Sequence, residues 1–168
     1  ISKKTLYQHI EDKKTLIRSV MKDFLEEDTA CVLQIVKENI DAINQMIRIN
    51  EVGLKIMKKI KPTLIYDLQK YYRDTWELVN QHHVDFFTKI IENNLIVEIR
   101  EGDYRKDIDV HIISKIYVNT MTNLVNEDKF HYSDFSKTKL VTQHLIYHLN
   151  GIIKPNSYLR IQNISKQL

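Results

Sequence analysis

Seven side chains near the start of the chain share one kind of chemistry. Lys3, Lys4, Thr5, Tyr7, Gln8, His9 and Lys13 all carry hydrogen-bond donors, and three of them carry a fixed positive charge. They lie in Ile1-Ser2-Lys3-Lys4-Thr5-Leu6-Tyr7-Gln8-His9-Ile10-Glu11-Asp12-Lys13-Lys14-Thr15-Leu16, which reads as a short helix, a turn and a second helix start. Ser2 suits the cap of the first helix and Asp12 that of the second, since each can accept a backbone N–H. Leu6 and Ile10 point to one side, leaving the polar residues on the others. A short helix with this equipment fits the DNA major groove, where side chains read base edges. Lys13 sets an ammonium beside free helix N–H groups, where a phosphate can sit.

No other constellation is as well formed. Cys31 has no motif neighbour and the carboxylates are scattered, so neither a nucleophile with its base nor a paired-acid site is present, and no catalytic residue is assigned. His144 and His148 stand four apart on one helical face, a spacing able to hold a metal, but no third ligand lies nearby in sequence. They are read as a helix–helix contact beside Val141, Leu145 and Leu149, and no metal or cofactor is expected. His83 falls on an apolar stripe, and the adjacent His82 points elsewhere. The aromatic group Tyr71, Tyr72, Trp76, Phe86 and Tyr117 is read either as core or as a pocket wall, with Asn119, Thr120 and Asn123 as polar company. Met57, Tyr72, Trp76, His83, Phe86, Tyr117 and Asn119 are the candidate ligand contacts.

The elements that must position these groups are helical. Three Gly and two Pro in 168 residues argue against sheet-rich or nucleotide-cradling folds. Leu16, Val20, Phe24 and Leu25 extend the helix opened at Lys13 to the region of residues 30–37. A second periodic segment carries Ile43, Met46, Ile47, Ile49, Ile56, Met57 and Ile60, with Gly53 inside it as a bend or a close contact. Pro62 opens a short helix to about Lys70. The stripe Trp76, Val79, His83, Phe86, Phe87, Ile90 and Ile91 is predicted to end near Asn93-Asn94, with residues 99–109 a loop. Residues 108–124 are helical, 126–132 form a polar connection, and Ser133 or Ser136 caps a last helix closed by Gly151 in a left-handed cap.

Net charge is +3, and residues 1–22 alone carry +4. The positive excess therefore coincides with the donor-rich motif, as a nucleic-acid footprint should. No segment reaches the roughly 18 apolar residues of a membrane span and no secretory leader is visible, so no membrane partner is expected. A single Cys is consistent with a reducing, cytoplasmic setting.

Residues 1–16 resemble the second half of the helix-turn-helix of TetR-type transcriptional repressors. The likeness is carried by Ile1, Ser2-Lys3, Thr5-Leu6-Tyr7, His9-Ile10, Lys13 and Leu16. It departs at Lys4, where many members have Gly or another small residue, so the bases contacted are expected to differ. Further along, Gly102-Asp103-Tyr104-Arg105-Lys106-Asp107 is similar to the family's lead into its penultimate long helix. His148-Leu149-Asn150-Gly151-Ile152 is similar to the close of its last. The family has two helices before the recognition helix, and no initiator Met begins this sequence, so the chain is expected to be part of a longer protein.

The resemblance implies an all-α, TetR-like architecture. Residues 1–27 would be a partial DNA-binding head and residues 28–168 a helical ligand-binding and dimerisation body. It further implies a transcriptional repressor that leaves its double-stranded DNA operator when a small apolar effector binds, and a homodimer through the last two long helices. Ile112, Ile116, Val141, Leu145 and Leu149 are the expected dimer contacts. The alternative is a helical small-molecule, lipid-binding or interaction module without DNA function. Under the first reading, Lys3, Lys4, Thr5 and Gln8 face base edges while Tyr7, His9 and Lys13 hold phosphates. In the intact protein, Lys13→Ala is then expected to weaken binding to all DNA sequences and lower the salt slope by about one. Gln8→Ala should instead change base preference. A titration against ionic strength separates the two, and unchanged operator affinity in a Tyr7→Ala/Lys13→Ala double variant contradicts the assignment.

Overall fold

Residues 12–124 and 136–159 are described in the computed structural model; they form six α-helices, and no strand occurs among them. The all-α class is therefore as expected. The DNA-contact candidates Lys3, Lys4, Thr5, Tyr7, Gln8 and His9 lie outside the described residues, as do 126–132 and Ser133.

The first helix, α1 (Lys13–Lys37), starts where Asp12 Oδ1 accepts the Thr15 backbone N–H at 2.7 Å. That bond holds the Asp12 carboxyl below its ordinary pKa. Met21, Leu25, Val32 and Ile35 recur at helical spacing and are buried. The helix runs unbroken through residues 27 and 28, so the boundary between expected head and body falls inside one element. Asp41 caps α2 (Ala42–Lys59) by accepting the Asn44 N–H, and an Arg48–Glu38 ion pair ties this helix to the preceding turn. Pro62 occupies the first turn of α3 (Pro62–Tyr71), where its missing N–H costs nothing.

Tyr72 leaves helical geometry for one residue, and α4 (Arg73–Glu101) follows at once. Contrary to expectation, α4 does not stop near Asn93-Asn94. Asn94 is 3% exposed and donates its amide to the Ala42 carbonyl at 2.8 Å and to Gln45 Oε1 at 2.9 Å. With its polar groups satisfied inside the protein, it extends the helix rather than ending it. Termination comes at Gly102 (φ 126°), the only residue with positive φ among those described. Gly151 is helical and plays no such role.

Asp109 accepts the Ile112 N–H at the head of α5 (Val110–Leu124). Ser136 accepts the Lys139 N–H at the head of α6 (Lys137–Ile152). The segment between α4 and α5 is clasped to the end of α6: Arg105 N–H donates to the Ile152 carbonyl and Lys154 N–H to that of Asp103. Tyr104 and Ile153 form an isolated antiparallel bridge there, and both are buried.

The main core joins Ile43 and Met46 of α2, Ile91 and Leu95 of α4, Tyr117 and Val118 of α5, and Leu145, Leu149 and Ile152 of α6. A second cluster links Val32 and Ile35 of α1 to Ile49 and Ile90. These clusters correct the expected dimer contacts. Val141, Leu145 and Leu149 are each at most 2% exposed in the protein's own core, whereas Ile112 and Ile116 are 54% and 56% exposed. A charge at Leu145 would therefore disrupt the fold itself rather than separate two folded copies.

His144 and His148 lie against the Tyr117 ring, with centroids 5.0 Å and 4.3 Å away. Burial depresses the pKa of both, that of His148 to about 3. A depressed histidine is neutral in the fold but protonates in the unfolded chain. Between the unfolded value near 6.5 and about 3, the unfolded state thus binds the extra proton, and stability falls as pH is lowered through that window. Melting temperatures from pH 7 to pH 4 should drop steeply, and His148→Leu should flatten the slope. The difference expected is on the order of a few kcal/mol.

Candidate ligand cavity

One face of α4 turns away from the main core toward α1 and α3. Trp76, Val79, Asn80 and His83 lie along it and, with Phe87 and Ile91 at the border of the main core, form one wall of a cavity of about 300 Å³. Val20, Met21, Phe24, Leu25 and Asp28 of α1 form another wall. Asn50, Gly53, Ile56 and Met57 of α2, Leu64, Ile65 and Leu68 of α3, and Tyr117, Met121 and Thr122 of α5 enclose the rest. Five helices contribute, and nearly every contribution is apolar. That composition and size match the low end of small-molecule sites.

Gly53 is one reason for the space. A Cβ placed there would meet nothing within 4 Å, so the glycine does not mark a close approach. It leaves open a position on α2 that any larger residue would fill.

Of the sequence-predicted ligand residues, Met57, Trp76, His83 and Tyr117 line the cavity. The other three do not. Tyr72 sits at the break between α3 and α4, with Lys13 Nζ 5.9 Å from its ring centroid. Phe86 faces the α1–α2 cluster and meets Phe87 edge-on at 5.2 Å. A four-residue step from His83 leads to Phe87, and Phe86 falls one position short of that face. Asn119 is exposed and returns its amide to the Lys115 carbonyl at 2.8 Å. Sequence reasoning missed Asp28, Asn50, Asn80 and Thr122; three of them lie on helices already noted as amphipathic, but nothing in their type distinguishes them from surface polar residues.

The polar groups are few and their states are shaped by burial. Asn50 donates to Tyr117 Oη at 2.6 Å and to the Met46 carbonyl at 2.8 Å. Burial raises the Tyr117 phenol well above its ordinary pKa and lowers His83 to about 4, so at neutral pH both are uncharged. Burial also raises the Asp28 carboxyl, partly offset by nearby His82. Asp28 Oδ1 and Asn50 Oδ1 are buried without a hydrogen-bond partner among the described residues.

No family model, curated protein or solved structure matches this chain. No group of three or more His, Cys, Asp or Glu that could hold a metal occurs among the described residues. No described helix is long and apolar enough to cross a membrane. Lys13, the one DNA-contact candidate within the described residues, is exposed at the first position of α1. Its neighbour Lys14 pairs with Asp74 of α4 at 2.7 Å.

Filling the Gly53 position tests the local account. Gly53→Ala adds a methyl group into open space and removes the helix penalty of glycine, so stability should rise by about 0.5–1 kcal/mol. Denaturant titration of the two proteins measures it; a loss would show that the backbone at this position needs glycine.

Proposed function

We propose that this protein is a TetR-like DNA-binding transcriptional regulator, a repressor released from its operator by a small apolar effector bound in the cavity. The observation that carries this reading is the course of α1. It begins at Lys13, directly after the donor-rich motif, and its next turns supply Val20, Met21, Phe24, Leu25 and Asp28 to the cavity wall. A ligand that packs better against one position of α1 than another shifts the motif with it, which is the physical requirement for coupling two sites. The Lys14–Asp74 pair ties the start of the same helix to α4, so the helix is held at two points that an effector can bias.

The regulator would act as a two-fold homodimer through α5 and α6, presenting two heads to half-sites roughly 34–36 Å apart. Exposed Ile112, Ile116 and Tyr147 on these helices are the apolar surface such a contact would cover. The setting is cytoplasmic, in line with a DNA partner.

Trp76 is the only tryptophan in the chain and lines the cavity, so it reports occupancy directly. Hydrophobic compounds that enter should quench its fluorescence saturably and raise the melting temperature. In the intact protein the same compounds should release bound operator DNA, and a Gly53→Phe variant, with the cavity filled, should bind DNA but ignore them. Quenching without any DNA binding would favour the alternative, a helical small-molecule or lipid-binding module. A compound library that neither quenches nor stabilises would remove the effector.

A further inference from the structure

The charge of the cavity wall is one-sided. Among the described residues no Lys or Arg lines it; the ionisable groups of the wall there are Asp28, His83 and Tyr117. Burial keeps the last two neutral at ordinary pH. Among the described residues Asp28 is thus the single side chain of the wall able to carry charge at ordinary pH, and that charge is negative. Its carboxyl is partly withdrawn from water, and its Oδ1 has no hydrogen-bond partner among the described residues. The titratable neighbour that faces it is His82, which is exposed and shares a 3.2 Å contact with Thr29. A carboxylate so placed is costly to the free protein and gains most from a cation brought to it. The rest of the wall suits such a guest. Phe24, Trp76 and Phe87 bring aromatic rings to the wall, and with the aliphatic residues they suit an alkyl or aryl body.

We infer that the cavity selects hydrophobic amines, an ammonium meeting Asp28 while the apolar body lies among Phe24, Trp76 and Phe87, and that it rejects carboxylic acids of the same shape. This rests on the reading of the cavity as a ligand site and adds the chemical class of the ligand. An acid would bring its negative charge to Asp28 and find no cation in the wall to offset the loss of water.

Titration of Trp76 fluorescence with n-decylamine, n-decanol, n-decanoate and N-decylacetamide, at neutral pH and below micelle-forming concentrations, tests the inference. The amine should bind at least about tenfold more tightly than the alcohol or the acetamide, with the acid weakest. Asp28→Asn should bring the amine level with the alcohol and leave the alcohol unchanged, whereas Asp28→Glu should keep the preference. Equal binding of amine and alcohol, tighter binding of the acid, or a preference that survives Asp28→Asn would overturn the inference while leaving the ligand site intact. The acetamide comparison removes the charge from the ligand alone, so the answer does not depend on how well the Asp28 variants fold. If none of the four quenches Trp76 or raises the melting temperature, the ligand site falls and the inference with it.

Discussion

A buried amide holds this arrangement of helices in register. Asn94 sits in the last third of α4, donates to the first carbonyl of α2 and to Gln45, and lies 3.4 Å from the Tyr104 hydroxyl. One side chain thereby fixes the start of α2, the depth of α4 and the segment that leads to α5. The Tyr104 hydroxyl also reaches Met46 Sδ at 3.6 Å, so the polar group is enclosed by the main core rather than set at its edge. In a low-dielectric interior such a network is sensitive to geometry, because each unpaired group costs more than the bond it lost. An apolar residue at 94 would pack, but it would not dictate where α2 begins relative to α4.

With that register set, α4 divides the molecule. Leu95 on one side is fully enclosed with Met46, Tyr104 and Leu149. Trp76 and His83 lie on the other, where the cavity remains open. Tyr117 stands at the partition: its ring is packed by His144 and His148, its hydroxyl is held by Asn50, and it also fronts the cavity. The tightly packed half is the part in which volume changes are felt most. The α1–α3 side has space to yield, and that is the side from which the helix leading to the donor-rich motif departs.

The helical class and most element starts were legible in the residues because caps and prolines act locally. Asp12, Pro62 and Ser136 each lie where local chemistry places them. Asn93-Asn94 misled for the same reason: asparagine ends helices when its amide competes with the backbone, and only tertiary contact reveals that this amide is engaged elsewhere. Gly151 looked like a cap, yet the chain stays helical to Ile152 while Gly102 takes the positive φ. The apolar stripe of α4 revealed Trp76 and His83 as cavity residues, but a rotation of one position excluded Phe86. The polar members of the wall could not be recognised, since an aspartate three residues before an exposed cysteine reads as surface until another helix covers it.

Cys31 itself has a practical consequence. It is the only cysteine of the chain, it is exposed, and it lies on α1 less than one turn beyond Asp28. A thiol-reactive spin label or fluorophore therefore attaches at a single site without prior removal of other cysteines. Such a probe rides on the helix that borders the cavity, at a residue that is not itself part of the lining. Paired with Trp76 on α4, it turns the spacing of these two helices into a directly observable distance in solution.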